Sequence, residues 1–343
     1  GPVVWLEVLQ ALVVDAVALG GPALREHLTA LQRAGLIQER GQVPDLGMEY
    51  AFKSTLIRDV AYGSLLSAQR AAYHRQVAEY LEDLSGPETW AQHHGGLAYH
   101  YRQAGESRKE LFYTIQVAEQ ARGVYANAEA LEYYSRALEL LDDLEAQASD
   151  EDRLYAIRTQ RFEVLNGRRE VLFLMGDFEA GQADAQALLP LARQLDDDPA
   201  WLIDALLQQP GVAGWRSKEE LDAGVPMAQE ALDLARQLGD QHYEVSILIR
   251  MGRVYEWSDQ PERGMAYLEA ALPISQALDD KMAELGILEL IGVQLESSDD
   301  YYRRLTECHG KQLSISREIG HRPAEAKALM FCGQIQGLYL GDY

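Results

Sequence analysis

The chain has 343 residues, a length for one large domain or about two to three ordinary ones. Hydrophobic residues make up 47% and charged residues 25%, so the chain can bury a core and is not wholly disordered. Its 31 basic against 54 acidic residues give a formal charge of -23, a field that repels phosphate backbones and anionic lipid.

Two cysteines, Cys308 and Cys332, can form neither a disulfide framework nor a four-thiolate zinc site, which points to a reducing cytoplasm. No run of 18 apolar residues occurs and the start has no signal-peptide pattern, so no membrane span is expected. Gly1-Pro2 reads as a protease scar and carries no weight for the fold.

In chain order, residues 3–66 stand apart. Helices are predicted at about 4–18 and 22–35, followed by extended stretches at 35–40 and 49–52 joined by a Gly/Pro loop. Helices followed by a two-stranded ribbon describe a winged helix. From residue 68 the pattern is helical throughout, with apolar residues recurring at helical spacing. In 226–239, for example, Met227, Ala231, Leu234 and Leu238 form one stripe, and Gly239-Asp240 stops the helix.

The helix pairs read 68–84 with 88–104, 107–124 with 127–144, 152–175 with 177–196, and 199–210 with 217–239. Then come 241–257 with 260–279, 281–297 with 300–320, and 322–339 alone. Pro210-Gly211 cuts the first helix of the fourth pair short, and Pro226 is expected to kink its second helix or shift its start. Gly341-Asp342-Tyr343 reads as a turn that opens a further helix, which suggests a truncated fragment.

Repetition is the strongest signal. The endings ALLPLARQLDD, EALDLARQLGD, AALPISQALDD and KQLSISREIGH align on Leu195, Leu238, Leu278 and Ile319, at intervals of 43, 40 and 41 residues. Gly252, Tyr255, Gly264, Leu268 and Ala271 have offsets 0, 3, 12, 16 and 19, the tetratricopeptide spacing. Ala118, Ala130, Tyr134 and Ala137 repeat offsets 0, 12, 16 and 19, and Gly181 and Gly224 hold the same small-residue place. Small residues there let paired helices approach closely.

The run Tyr50-Ala51-Phe52-Lys53-Ser54-Thr55-Leu56-Ile57-Arg58-Asp59-Val60-Ala61-Tyr62, with Leu65, Leu66, Arg70, His74, Ala78 and Leu81, carries a resemblance. It resembles the junction after the ATPase core in bacterial STAND-type regulatory ATPases, including adenylate-cyclase-fused proteins and relatives of the maltose-regulon activator. The stretches 97–105 and 125–130 are similar to the same family. The resemblance implies a winged helix that closes on a nucleotide-binding core, followed by a tetratricopeptide superhelix. Ser54 stands where that family commonly has a histidine able to touch nucleotide. No G-x-x-x-x-G-K-[ST] loop occurs, so the ATPase domain is missing from this sequence.

Other chemistry reads as structural. His93, His94 and His100 lack the further convergent ligands that zinc needs. Cys308-His309 lacks an orienting partner for a nucleophile. The acidic groups at 142–143, 196–198, 279–280 and 299–300 lack calcium-loop spacing and read as helix-end caps. Tyrosines such as Tyr133, Tyr134, Tyr255 and Tyr267 read as repeat core. Across 3–66, five basic residues (Arg25, Arg33, Arg40, Lys53, Arg58) face seven acidic ones, too few to neutralise several phosphates.

The expectation is an all-α fold: a tetratricopeptide-like right-handed α-superhelix, 67–343, behind a small winged helix, 1–66. It is not an enzyme and takes no cofactor or metal. Its expected partner is a protein, a peptide or a small effector rather than a membrane or nucleic acid; the alternative readings are the small-molecule-sensing superhelix of a transcriptional regulator and a regulator whose winged helix binds DNA. Counting from the small residues puts Ser246, Ile249, Arg253 and Glu256, then Glu289, Val293 and Glu296, then Lys327, Met330 and Gln334, on the concave wall. A pocket for a small effector is expected at the interrupted fourth pair, near Trp201 and Trp215.

Overall fold

The computed structural model describes residues 3–17, 21–84, 90–195, 198–214, 217–256, 260–294 and 301–335. These hold sixteen helices and one three-stranded antiparallel sheet.

The start is winged-helix-like. Helices α1 (Leu6–Val17) and α2 (Gly21–Arg33) precede strands β2 (Ile37–Val43) and β3 (Gly47–Phe52), and α3 (Thr55–Gly63) follows. Gly35 has φ 73° and ends α2, while Asp45 (φ 61°) and Gly47 (φ 76°) make the hairpin turn. One element departs from the sequence reading, which has helix from about residue 4. Val3–Trp5 is instead a strand, β1, paired with β3 in the order β1-β3-β2. Three residues are too few to show alternation, and an apolar helix follows at once. Leu24, Leu28, Ile37 and Tyr50 form the small core over this sheet.

The remaining helices follow the expected pairs closely. They are α4 (Ser67–Leu84), α5 (Trp90–Ala104), α6 (Ser107–Gly123), α7 (Asn127–Gln147) and α8 (Glu151–Met175). Then come α9 (Phe178–Ala192), α10 (Pro199–Leu207), α11 (Lys218–Leu238), α12 (Gln241–Glu256), α13 (Pro261–Ala277), α14 (Lys281–Gln294), α15 (Tyr301–Glu318) and α16 (Arg322–Ile335). The chain divides into two compact units, Gly1–Asp177 and Phe178–Tyr343. That boundary falls inside the third expected pair, so the stack reads as two stretches of repeats. Within each, a helix packs on its successor, and first helices of consecutive pairs also touch, α6 with α8 and α12 with α14. This is tetratricopeptide-like packing.

The small residues sit where close approach needs them. Ala118, Ala130, Tyr134 and Ala137 are wholly buried. Gly167 leaves room for Tyr134, whose hydroxyl would lie 2.6 Å from an added Cβ. In the second unit Gly264, Leu268 and Ala271 are buried, and a Cβ on Gly252 would lie 2.6 Å from Leu268 Cδ2.

Two expectations shift in part, and the start of α11 keeps its expected place. Helix α11 runs from Lys218 straight through Pro226, which is exposed, so its start is not displaced. The buried face of α11 is Leu221, Gly224, Ala228, Ala231, Leu232 and Ala235; of the expected stripe, Ala231 is buried, Met227 and Leu234 are half-buried against the core, and Leu238 is exposed. Asp142 and Asp143 lie inside α7 rather than at a helix end, where Asp142 accepts from Arg161 at 2.6 Å. Capping holds at Asp198, which accepts from the Ala200 N–H, and at Asp280, which accepts from that of Ala283. Residues 196–197 and 299–300 lie outside the described residues.

Candidate functional site

The break after α10 builds the site. Leu207 ends that helix, and Gln209 then turns inward, its amide donating to the carbonyls of Ala185 (2.6 Å) and Ala205 (3.0 Å). The amides of Val212 and Ala213 both donate to the Gln209 carbonyl, and that of Gly211 to the Gly214 carbonyl at 2.7 Å. Gly211 has φ 86° and lies against Gly224 of α11, where only hydrogen fits on either residue. The loop is therefore held rigidly, with Val212 buried.

This loop faces α12 across a cavity of about 550 Å³, lined by Val212, Ala213, Gly214, Ser246, Ile249, Arg250 and Arg253. On α12, Ser246, Ile249, Arg250 and Arg253 have the i, i+3, i+4, i+7 spacing of one helix face. Arg250 is half-buried and donates to the Leu207 carbonyl at 3.3 Å, satisfying the end of α10. Burial, and then the positive charge of Arg253, hold the Arg250 guanidinium below its ordinary value. Arg253 is exposed. The cavity thus offers guanidinium and hydroxyl donors over a small apolar wall.

Of the ten expected wall residues, three (Ser246, Ile249 and Arg253) meet here. Glu289 and Lys327 form an ion pair with each other across α14 and α16, so this lysine is already neutralised. Met330 is exposed on α16. The side chains of Glu256, Val293 and Gln334, and all of Glu296, lie outside the described residues. Trp201 is half-buried in α10, and Trp215 also lies outside them. Sequence reasoning missed Arg250 and the loop wall. The Pro210-Gly211 break marked the loop, but one helix's offsets could not show what folds over it.

A second cavity, about 810 Å³ and mainly apolar, lies in the first unit, with Trp5, Leu9, Tyr62, Leu65, Tyr73, His74, Val77 and His100 among its lining. Here His100 meets His74 rather than His93 or His94. The Tyr62 hydroxyl lies 2.9 Å from His74 Nε2, and His74 Nδ1 lies 2.9 Å from His100 Nδ1. The chain closes with both rings neutral: Tyr62 donates to His74, which donates to His100. A proton added at His100 Nδ1 would oppose the His74 N–H. Burial first, then the neighbouring His74, lower His100 to about 4, and burial also lowers His74. Unfolded histidine binds its proton near the ordinary value of 6.5, so this contribution to stability is full above that pH. It is lost as pH falls from about 6.5 toward 4, a cost of about 2 kcal/mol after allowing for partial exposure. Urea unfolding at stepped pH should show this loss, and His100→Phe should flatten it. An equal slope in that variant would refute the assignment.

Among the described residues, no group of three or more His, Cys, Asp or Glu is placed to hold a metal, and no helix is long and apolar enough to cross a membrane. Cys308 donates its thiol to the Leu288 carbonyl at 2.9 Å, and His309 stacks on Phe331. That pair is used in packing.

No family model matches the chain. An uncharacterized protein of Rhizobium meliloti (strain 1021) is 29% identical over 158 residues, 46% of this chain and 14% of that protein. The chain thus matches only a small part of that relative's length. Among solved structures, BtubC from P. vanneervenii has a TM-score of 0.41 at 16% identity, over 64% of this chain and 94% of that one. A STAND protein with a tetratricopeptide repeat sensor from Pyrococcus horikoshii has a TM-score of 0.44 at 15% identity, over 97% and 51%. A Rap protein complexed with competence and sporulation factor has 0.42 at 13%, over 81% and 78%. The fold rests on the helix pairs of this chain, not on these likenesses.

Proposed function

We propose that this chain is the non-catalytic sensor region of a bacterial multidomain signalling ATPase of the STAND type, working in the cytoplasm. Residues 1–66 form its winged helix and 67–343 its tetratricopeptide repeats. The repeats bind a protein or peptide partner. Bound ligand favours one of two states of the ATPase core by its difference in affinity for them. The resemblance within 50–82 and 97–138 supports the setting. The single observation that carries the binding reading is the cavity onto which Ser246, Ile249 and Arg253 open together.

A second reading, a small effector, is favoured by the place of that cavity. It lies at the interrupted fourth pair, where the 212–214 loop makes a second wall opposite α12.

Peptides selected on the intact chain from a displayed library give a direct test. By calorimetry, Arg253→Ala should weaken a selected peptide about tenfold, since a planar fork gripping a carboxylate or carbonyl is lost. Glu262→Ala, in the exposed first turn of α13, should leave affinity unchanged. Equal affinities for the two variants would remove this wall from the site. Saturable micromolar ATP binding by the chain would refute the non-catalytic reading.

A further inference from the structure

Several arginines of this acidic chain are neutralised by carboxylates. Arg236 pairs with Glu244 at 2.8 Å, Arg317 with Glu325 at 2.8 Å, and Arg161 with both Asp142 and Glu145. Among the described residues Arg250 and Arg253 have no such pair, as is also true of Arg25, Arg40 and Arg322, but these two share one cavity. They stand one turn apart on the same wall of one cavity, and among the described residues neither has a carboxylate partner. Two like charges facing one partly enclosed space repel each other, and a bound anion would relieve that repulsion.

We propose that the cavity between α12 and the 208–214 loop binds the phosphate group of a small phosphomonoester. This deepens, and rests on, the reading of α12 as a ligand wall. The charged side chains there are two guanidinium forks, with the Ser246 hydroxyl beside them and no carboxylate in the lining, and the Val212 and Ala213 amides are already committed to Gln209. A donor-rich, acceptor-poor site selects an anion. Two fixed cations match the charge of about -1.5 to -2 that a phosphomonoester carries near neutral pH, whereas one carboxylate would balance only one of them. The volume of about 550 Å³ lies in the range of small-molecule pockets. It exceeds what a bare phosphate needs, and Ile249, Val212 and Ala213 supply an apolar wall for an organic body.

The test is calorimetry on the intact chain at neutral pH and constant ionic strength. The probes are glycerol 1-phosphate, inorganic phosphate, succinate and a phosphoserine hexapeptide. Glycerol 1-phosphate should bind saturably at one site, more tightly than inorganic phosphate and about tenfold more tightly than succinate. Arg253→Ala should weaken it about tenfold or more. Arg250→Lys, which keeps the charge but loses the fork, should also weaken it. Arg250 also holds the Leu207 carbonyl, so its variant counts only with an unchanged melting point, and the exposed Arg253 carries the test by itself. Lys311→Ala, an exposed cation on α15, should change nothing.

Absence of saturable glycerol 1-phosphate binding up to about 10 mM would overturn the proposal. So would equal loss in Lys311→Ala, which would mean diffuse charge attraction. Succinate binding as tightly would mean a dicarboxylate site, and the hexapeptide binding about tenfold tighter would mean a phosphorylated protein. Both would overturn the small-phosphomonoester assignment. A library peptide that needs Arg253, with no phosphomonoester bound, defeats this inference and leaves the wall intact. Phosphomonoester binding that needs Arg253 supports it even if no peptide is ever selected.

Discussion

Gly224→Ala should cost the second unit about 3 kcal/mol, one of the two largest effects expected of a single substitution in this chain. A Cβ at Gly224 would lie 2.2 Å from the Gly211 carbonyl carbon and 2.3 Å from its oxygen. The reverse contact is as tight, since a Cβ on Gly211 would lie 2.0 Å from the Glu220 carbonyl oxygen. No side chain can rotate away, because both surfaces are backbone. Gly211 also has φ 86°, which a residue with a side chain rarely adopts. Calorimetric melts should show the unit's transition about 6–12 °C lower. Gly286→Ala is the control, since nothing lies within 4 Å of its added Cβ. It should be neutral, or stabilise α14 by about 0.5 kcal/mol through helix propensity. Equal melting points for the two variants would refute the crossing. The same crossing fixes the 208–214 loop, so loss of the Arg253-dependent ligand should accompany the loss of stability.

That crossing also shows what the sequence could and could not display. Helix pairs were legible because two signals agreed, the helical apolar period and the small residues at fixed offsets. Ala118, Ala130 and Ala137 are buried without exception. In α11 the expected stripe marks the edge of the buried face, since Met227 and Leu234 are half-buried against the core and Leu238 is exposed. Packing buries Gly224, Ala228, Ala231 and Ala235, where backbones approach closely, together with the bulky Leu221 and Leu232. Strand β1 was invisible because its pairing with β3 lies far away in sequence. At the site, the Gly252 offsets located Ser246, Ile249 and Arg253. Arg250 escaped because its importance comes from the Leu207 carbonyl and the loop beyond it, 43 residues earlier. The His74–His100 contact escaped for the same reason, being a meeting of α4 and α5 with a 26-residue separation.

Arg136→Ala should destabilise the first unit by about 3 kcal/mol, because it strands a buried carboxylate. Glu110 is only 4% exposed in the first turn of α6. Its Oε1 accepts from Arg136 Nε at 2.9 Å, and Nη2 of the same guanidinium lies 2.8 Å away. Arg136 also reaches Glu139 at 2.9 Å, but that acid is exposed and well hydrated, so losing it matters little. Glu110 has no such recourse. Desolvation of its charge is offset in the native state by one guanidinium, and removing that group leaves the cost without the compensation. The ion pair itself need not be strongly stabilising against a neutral replacement. Glu110→Gln with Arg136→Met should therefore recover more than half of what Arg136→Ala loses, since no buried charge remains. Urea midpoints of the wild type, Arg136→Ala, Glu110→Gln and the Glu110→Gln/Arg136→Met double variant measure this. Arg153→Ala, which breaks the exposed Arg153–Asp150 pair at 3.0 Å, gives the surface reference and should cost about 0–1 kcal/mol. If Arg136→Ala costs no more than Arg153→Ala, Glu110 is not held as a buried charge between α6 and α7. If the double variant is no more stable than Arg136→Ala, the loss comes from the packing of the arginine stem rather than from a stranded carboxylate.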